Sequence, residues 1–305
     1  MSQQRTTVLY IAGAGRSAST LLGHILGQLE GFCFIGEMIG AWRAFGVRHC
    51  GCRVPLTECK FWADVRRAAG RDGRSLPPEE LFALGPLARW RNLPLTFGPG
   101  PPIARRCAAS LRSAQSLYES VAAVSGARVI VDSSKSVPYA RMLSLLPGLD
   151  LRIVHLVRDA RAVAYSWSRL KPVPDRPDQS HMDLRRPGKV AVNWLISNVG
   201  TELLGRARPG RYVRLRYEDL VDRPRESLER ILRPFIGAPA ALPLTGERTI
   251  EIHPTHSVKG NPDRFGTGTR ELRIDDEWRH AMRPGDRRLV TGLTWPLLLR
   301  HGYAP

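Results

Sequence analysis

Short apolar runs alternate along the chain with longer stretches in which apolar residues recur every three or four positions. Residues 8–12 are five consecutive apolar residues, the pattern of a strand buried on both faces. They run into Gly13-Ala14-Gly15-Arg16-Ser17-Ala18-Ser19-Thr20, after which Leu21, Leu22, Ile25, Leu26 and Leu29 mark one face of a helix. The strand pattern returns at 129–131, ending at Asp132, at 152–157, ending at Arg158-Asp159, and at 212–216. Helical spacing covers 107–124, 139–146, 160–170, 190–206 and 225–236, with Pro224 beginning or preceding the last. Residues 70–104 are rich in Gly, Pro and Arg and predict a lid or irregular insertion, and 171–187 is a polar, Pro-containing loop. Strands alternating with helices predict an α/β fold, a single domain with a central, mostly parallel sheet flanked by helices. Ligands of such sheets sit beyond the carboxyl ends of the strands. Three segments therefore draw the search for chemistry: 13–20, 132–135 and 158–166.

Size and charge narrow the classes. One α/β domain with insertions accommodates 305 residues. No apolar run approaches the ~18–20 residues of a membrane span, and 8–12 is too short for a signal-peptide core, so a cytoplasmic place is expected. The net charge is +18, and only Lys60, Lys135, Lys171, Lys189 and Lys259 are lysines. The arginines are scattered, not run together. That favours background composition plus a small anionic ligand over a nucleic-acid partner, for which no zinc finger or RNP-like aromatic motif is present. The cysteines are Cys33, Cys50, Cys52, Cys59 and Cys107. Their odd number argues against a full disulfide framework. Cys50-Gly51-Cys52 followed by Cys59 leaves free thiols, a local disulfide and a metal site open, although C-x-C departs from the usual C-x₂₋₄-C of structural zinc. His49 would complete a set of four.

The first loop has the logic of an anion cradle. Glycines let the backbone approach, free N–H groups at the helix start point outward, and the helix dipole favours negative charge. Arg16 adds a forked cation, and Ser17, Ser19 and Thr20 add hydroxyls. The Gly-Lys pair of a Walker A loop is missing. In Val157-Arg158-Asp159-Ala160-Arg161, Arg158 falls at a strand tip, and Ser166 lies two helical turns further on. An arginine and a serine converging there suit a second phosphate. His256-Ser257-Val258-Lys259-Gly260-Asn261-Pro262-Asp263-Arg264-Phe265 offers a cation and exposed backbone donors.

Together these elements resemble the sulfotransferases that use 3′-phosphoadenosine-5′-phosphosulfate (PAPS). The loop resembles their 5′-phosphosulfate loop in its arginine-containing form, shared with tyrosylprotein and carbohydrate sulfotransferases. The Val-Arg-Asp-x-Arg-Ala…Ser stretch resembles their 3′-phosphate element. The Gly-Asn-Pro-x-Arg-Phe loop and the Cys-Gly-Cys…Cys-x-Phe-Trp segment resemble a bacterial branch, while 63–125 is largely unmatched and reads as an acceptor-side insertion. The resemblance implies a P-loop-NTPase-like sulfotransferase fold, PAPS as co-substrate, no required metal and a hydroxyl acceptor of small-molecule, glycan or lipid-linked type. It implies that Gly15, Arg16, Ser17, Ala18, Ser19, Thr20 and Leu21 hold the 5′-phosphosulfate, that Arg158 and Ser166 hold the 3′-phosphate, and that Lys259, Gly260 and Asn261 contact the adenosine end. Tyr217 is a further contact candidate. Glu37 is the expected general base, its pKa raised by partial burial, and Lys135 with Arg16 would stabilise the bridging oxygen. His24 and His155 read as structural histidines, and His256 is a reserve base. Two alternatives stand beside this reading: a phosphoryl transferase, in which Asp132 would hold Mg²⁺, and an inactive polyanion-binding relative.

Overall fold

The computed structural model describes residues 5–45, 48–70, 74–76, 108–175, 181–237 and 241–304. Along the chain run β1 (Thr6–Ala12), α1 (Ser19–Leu26), β2 (Phe32–Gly36), α2 (Ala41–Ala44), α3 (Lys60–Ala69) and α4 (Ala108–Ser125). Next come β3 (Val129–Lys135), α5 (Val137–Leu143), β4 (Leu149–Val157), α6 (Ala160–Ser168), α7 (Pro187–Arg206) and β5 (Tyr212–Arg216). The last elements are α8 (Tyr217–Asp222), α9 (Pro224–Ile236), β6 (Thr249–Ile252), β7 (Gly268–Glu271), α10 (Trp278–Ala281) and α11 (Pro284–Arg300).

The fold is α/β, with a central parallel sheet of five strands in the order β2-β3-β1-β4-β5 and flanking helices. The four expected strands are all present. The fifth, β2, is short, and its alternation is obscured by glycines at 31 and 36. In β1, Val8 through Ala12 are each 2% exposed or less, as the unbroken apolar run demands. Side chains and prolines set the helix starts. Ser136 accepts the Tyr139 N–H at the start of α5, and Asp159 accepts the Arg161 N–H at the start of α6. Proline occupies the first turn of α7, α9 and α11. Gly237, with φ +82°, closes α9. Nearly all of the expected 70–104 insertion lies outside the described residues, as does Cys107.

The chain forms two compact units. The first comprises residues 1–11, 20–153 and 252–268. Its core joins Leu22, Ile25 and Leu26 of α1, Phe34 and Ile35 of β2, Ile130 and Val131 of β3, and Leu117, Tyr118 and Val121 of α4. The second comprises residues 12–19, 154–251 and 269–305. Here α6, α7 and α11 pack together around Val157, Val163, Trp194, Val290 and Leu298. Among the described residues, no helix is long and apolar enough to cross a membrane.

Candidate functional site

In the first unit the chemistry gathers where β2 and β3 end. The two strands pair in parallel, Phe32 with Val129 through Gly36 with Asp132, with an irregularity between Phe34 and Gly36. Gly36 has φ +78°, and a Cβ there would lie 2.5 Å from the Lys259 carbonyl oxygen, so only glycine fits this exit from the strand. The next residue is Glu37. Its N–H donates to that same Lys259 carbonyl (3.0 Å), and its Oε1 accepts from Lys135 Nζ (2.6 Å). Lys135 itself has φ +65°, a left-handed conformation that costs a non-glycine residue energy, and its Nζ also donates to the Ser133 carbonyl (2.7 Å). The carboxylate and ammonium are 20% and 16% exposed. Burial alone would raise the Glu37 pKa, as expected from the sequence. The opposing charges of Lys135, Lys259 and Arg264, with the Lys135 hydrogen bond, outweigh it and hold Glu37 below the usual carboxylate value.

Beneath this pair Asp132 is fully buried. Its Oδ1 accepts from the Ser134 N–H (2.7 Å) and hydroxyl (2.5 Å), and its Oδ2 accepts from the Tyr118 hydroxyl. The Ser134 hydroxyl in turn accepts the Ile39 N–H (3.0 Å), tying the turn after Glu37 to the tip of β3. Asp132 is thus a bracket, with its oxygens committed to these donors. Burial pushes its pKa up to about 6, against the hydrogen bonds and Lys135. A carboxyl raised on folding stabilises the fold fully below its unfolded value near 4 and loses that contribution as pH climbs through 6. The stability difference between wild type and Asp132→Asn, measured by urea unfolding, is therefore expected to shift against wild type between pH 4 and 6 and to be flat above 7. A difference independent of pH would mean that Asp132 titrates normally.

Also in the first unit, Thr20 Oγ1 accepts from the Asn261 N–H (3.3 Å), and a Cβ on Gly260 would stand 3.3 Å from the same oxygen. The Lys-Gly-Asn loop is thereby joined to the end of the first loop. Ser133 Oγ is buried with no hydrogen-bond partner among the described residues.

In the second unit lie residues 13–19. Gly13 has φ +125°, and a Cβ there would be 2.3 Å from the Leu156 carbonyl oxygen. Arg16 and Ala18 are also left-handed, at φ +70° and +66°. Two such non-glycine residues in one short loop store strain that the surrounding structure must maintain, and turns of this kind aim consecutive N–H groups at one point. Ser17 is 1% exposed, its hydroxyl without a partner among the described residues. Arg16 lies over the Trp167 ring (4.9 Å), against which Gly15 also packs. Arg158, 6% exposed, donates from Nη1 to the Arg16 carbonyl (3.2 Å) and from Nη2 to the Asp275 carbonyl (2.8 Å). It pairs with the Asp275 carboxylate (3.1 Å) and lies over the Tyr217 ring (4.6 Å). Its Nε is buried and has no hydrogen-bond partner among the described residues. Tyr217 also fixes residues 273–275, donating to the Arg273 carbonyl and accepting the Asp275 N–H. Burial works to raise the Asp275 pKa, but Arg158 and Arg169 pull it below the ordinary value. Ser166 is half-buried on α6. Trp167 and Asp275 carried no sequence signal: one sits unmarked in the Arg158 motif, the other over a hundred residues beyond it.

The remaining histidines are assigned by their surroundings. His155 is fully buried, bonded to Tyr212 (2.7 Å) and Asn198 (2.8 Å), and burial lowers its pKa to about 4. His24 is buried edge-on to Phe34. Both are structural, as expected. His256, the reserve base of the sequence reading, sits among thiols and an aromatic ring. It stacks on Phe61 (4.3 Å) and faces Cys50 and Cys59.

The sequence model of the sulfotransferase family matches residues 9–240. The chain belongs to this family. Human carbohydrate sulfotransferase 5 is 34% identical over 152 residues, which cover 45% of this chain and 36% of the relative. Human carbohydrate sulfotransferase 6 is 33% identical over 175 residues, 52% of this chain and 43% of the relative. The matches thus span less than half of the length of these curated relatives. Among solved structures, a sulfotransferase of Mycobacterium avium superposes with a TM-score of 0.49 at 12% identity, covering all of this chain and 78% of that one. The sulfotransferase domain of the Synechococcus PCC 7002 olefin synthase gives 0.42 at 19%, covering 96% of each chain.

Proposed function

We propose that this sulfotransferase moves the sulfuryl group of PAPS to an acceptor hydroxyl, releasing 3′-phosphoadenosine-5′-phosphate, and that its fold is one catalytic domain with an acceptor-side insertion at about 63–125. The hydrogen bond from Arg158 to the Arg16 carbonyl carries the reading, because it joins the strand-tip arginine to the strained loop. Arg16 with the 15–21 backbone and hydroxyls would take the 5′-phosphosulfate. Arg158, with its remaining Nε donor, and Ser166 would take the 3′-phosphate, Tyr217 serving as the platform that orients the guanidinium. Lys259, Gly260 and Asn261 would contact the adenosine end. In the reaction the acceptor oxygen forms a bond to sulfur as the sulfur–phosphate oxygen bond breaks. The acceptor proton goes to Glu37, and Lys135 and Arg16 stabilise the oxygen that leaves. The two human relatives are carbohydrate sulfotransferases, which weights the acceptor toward a sugar hydroxyl.

The test requires no acceptor. 3′-Phosphoadenosine-5′-phosphate should raise the melting temperature, since a ligand that binds only the folded state stabilises by mass action. AMP, lacking the 3′-phosphate, should do so weakly. Arg158→Ala should weaken the bisphosphate roughly tenfold to a hundredfold, the worth of a charged hydrogen bond, and leave AMP unchanged. Equal losses for both nucleotides would remove Arg158 from the 3′-phosphate. Stabilisation by ATP-Mg²⁺ alone would replace sulfuryl transfer with phosphoryl transfer.

A further inference from the structure

Away from Glu37, the first unit draws three cysteines and one histidine to a single point. The ligand atoms of Cys50, Cys52, Cys59 and His256 all lie within 4.8 Å of one another. Cys52 Sγ and Cys59 Sγ are 3.7 Å apart, and Cys50 Sγ and Cys59 Sγ are each 3.6 Å from His256 Nδ1. A tetrahedral zinc with Zn–S of about 2.3 Å and Zn–N of about 2.0–2.1 Å sets S···S edges near 3.8 Å and S···N edges near 3.6 Å. The three contacts at 3.6–3.7 Å match those edges, and the other pairs lie within 4.8 Å. A disulfide needs sulfurs about 2.05 Å apart, and these cysteines are free thiols. His49, the sequence candidate for the fourth ligand, is not part of the group; the fourth ligand comes from nearly two hundred residues beyond Cys59.

The surroundings hold the four ligands in place without metal-ligand spacing in the sequence. Cys50 exchanges hydrogen bonds across a tight turn with Val54 and Arg53, and Arg53 is left-handed at φ +73°. Cys59 immediately precedes α3. The Gly51 N–H donates to the Ser257 carbonyl (2.9 Å), and a Cβ on Gly51 would collide with Ser257 and Thr255 at 2.5 Å. The C-x-C spacing therefore has glycine between its cysteines so that the segment carrying His256 can lie against them. The Trp62 indole N–H donates to the His256 carbonyl (2.8 Å). Arg264, 1% exposed, donates to the carbonyls of both Ser257 and His49 (2.7 Å each), bridging the segments that supply the ligands.

We infer that Cys50, Cys52, Cys59 and His256 form a closed, structural Cys₃His zinc site that fastens residues 255–261 to the Cys50–Cys59 knuckle. Three thiolates and an imidazole suit zinc over harder cations. With all four positions filled by protein, the ion is structural and not a Lewis acid for the reaction. Its effect reaches the chemistry through three residues of chain, since Lys259 follows His256 and its carbonyl holds the Glu37 N–H. The inference stands on these ligands alone and is independent of the sulfuryl donor.

Mass-spectrometric metal analysis of the full chain, purified without chelator, should find about one zinc per chain, and Cys59→Ser and His256→Ala should each lower it at least severalfold. Cobalt exchanged into the wild type should give the thiolate-to-cobalt and d–d absorption of a tetrahedral site, and chelator should speed hydrogen exchange in 255–261. Should either variant not fold, the wild-type stoichiometry and cobalt spectrum decide alone. Reduced wild-type protein that carries no zinc and fails to take up one equivalent of Zn²⁺ or Co²⁺ at micromolar concentration overturns the site. A Cys52–Cys59 disulfide in protein alkylated in its native state does so equally.

Discussion

Glu37→Gln is expected to lower sulfuryl-transfer turnover by about 10²–10⁴-fold, the usual worth of a positioned general base, while leaving bisphosphate affinity within twofold. Glutamine keeps an oxygen for Lys135 Nζ, so the 2.6 Å contact survives while the charge is lost. As the proposed base Glu37 would be a weak one, since Lys135, Lys259 and Arg264 hold it below its ordinary pKa despite burial. Sulfuryl transfer tolerates this. The acceptor hydroxyl becomes strongly acidic only as its oxygen bonds to sulfur, and a carboxylate then suffices to take the proton. The depressed pKa keeps Glu37 ionised above the ordinary carboxylate range, and wild-type rates should show no acidic fall there. The same sign governs stability: the contribution of the pair is present above the unfolded carboxyl value and lost as pH falls below it. Lys135→Ala removes the strongest opposing charge and should shift the acidic limb of the pH–rate profile upward. Full turnover by Glu37→Gln, or an acidic limb unmoved by Lys135→Ala, would give the proton to another group.

Local reading reached the elements whose meaning lies in consecutive residues. The apolar runs at 8–12 and 152–157, the loop between β1 and α1, and Arg158 at a strand tip needed no knowledge of distant chain. What stayed hidden was mostly pairing across long separations. Lys135 lies 98 residues from Glu37, so the expected rise of the Glu37 pKa counted burial and omitted the charge that reverses it. Asp275 meets Arg158 from 117 residues away, in a region without periodicity. His256 was legible as a titratable residue in a loop and Cys50, Cys52 and Cys59 as a candidate set, but nothing local joined the two across 197 residues. Arg158 and Asp159, adjacent in sequence, take different partners. Arg158 turns to Asp275, and Asp159 turns to Arg161, because a helix start aims the capping side chain back along its own first turn.

That last arrangement sets the largest stability effect expected. Asp159 performs two tasks at the start of α6. Its Oδ1 accepts the Arg161 N–H (2.8 Å) and Nε (2.9 Å), and its Oδ2 accepts Arg161 Nη2 (2.7 Å). Both side chains are about 5–6% exposed. Arg161 also donates to the Ala304 carbonyl (2.6 Å) and lies over the Trp278 ring (4.8 Å), so it has no short route to solvent. Asp159→Ala removes an N-cap, worth about 1 kcal/mol, and strands a buried guanidinium, which costs about 3–5 kcal/mol. The two share one carboxylate and do not simply add. A net loss of about 3–5 kcal/mol in urea unfolding is expected, against less than about 0.5 kcal/mol for Arg233→Ala, whose partner Glu229 is exposed. Asp159→Ala combined with Arg161→Met should recover part of the loss, because it is the unpaired charge, not the missing attraction, that destabilises. Asp159→Asn separates the tasks: its amide oxygen still caps the helix, so it should retain about the capping share alone. A double variant no more stable than Asp159→Ala would place the whole effect in the cap, and with it the seating of Arg158 at the end of β4.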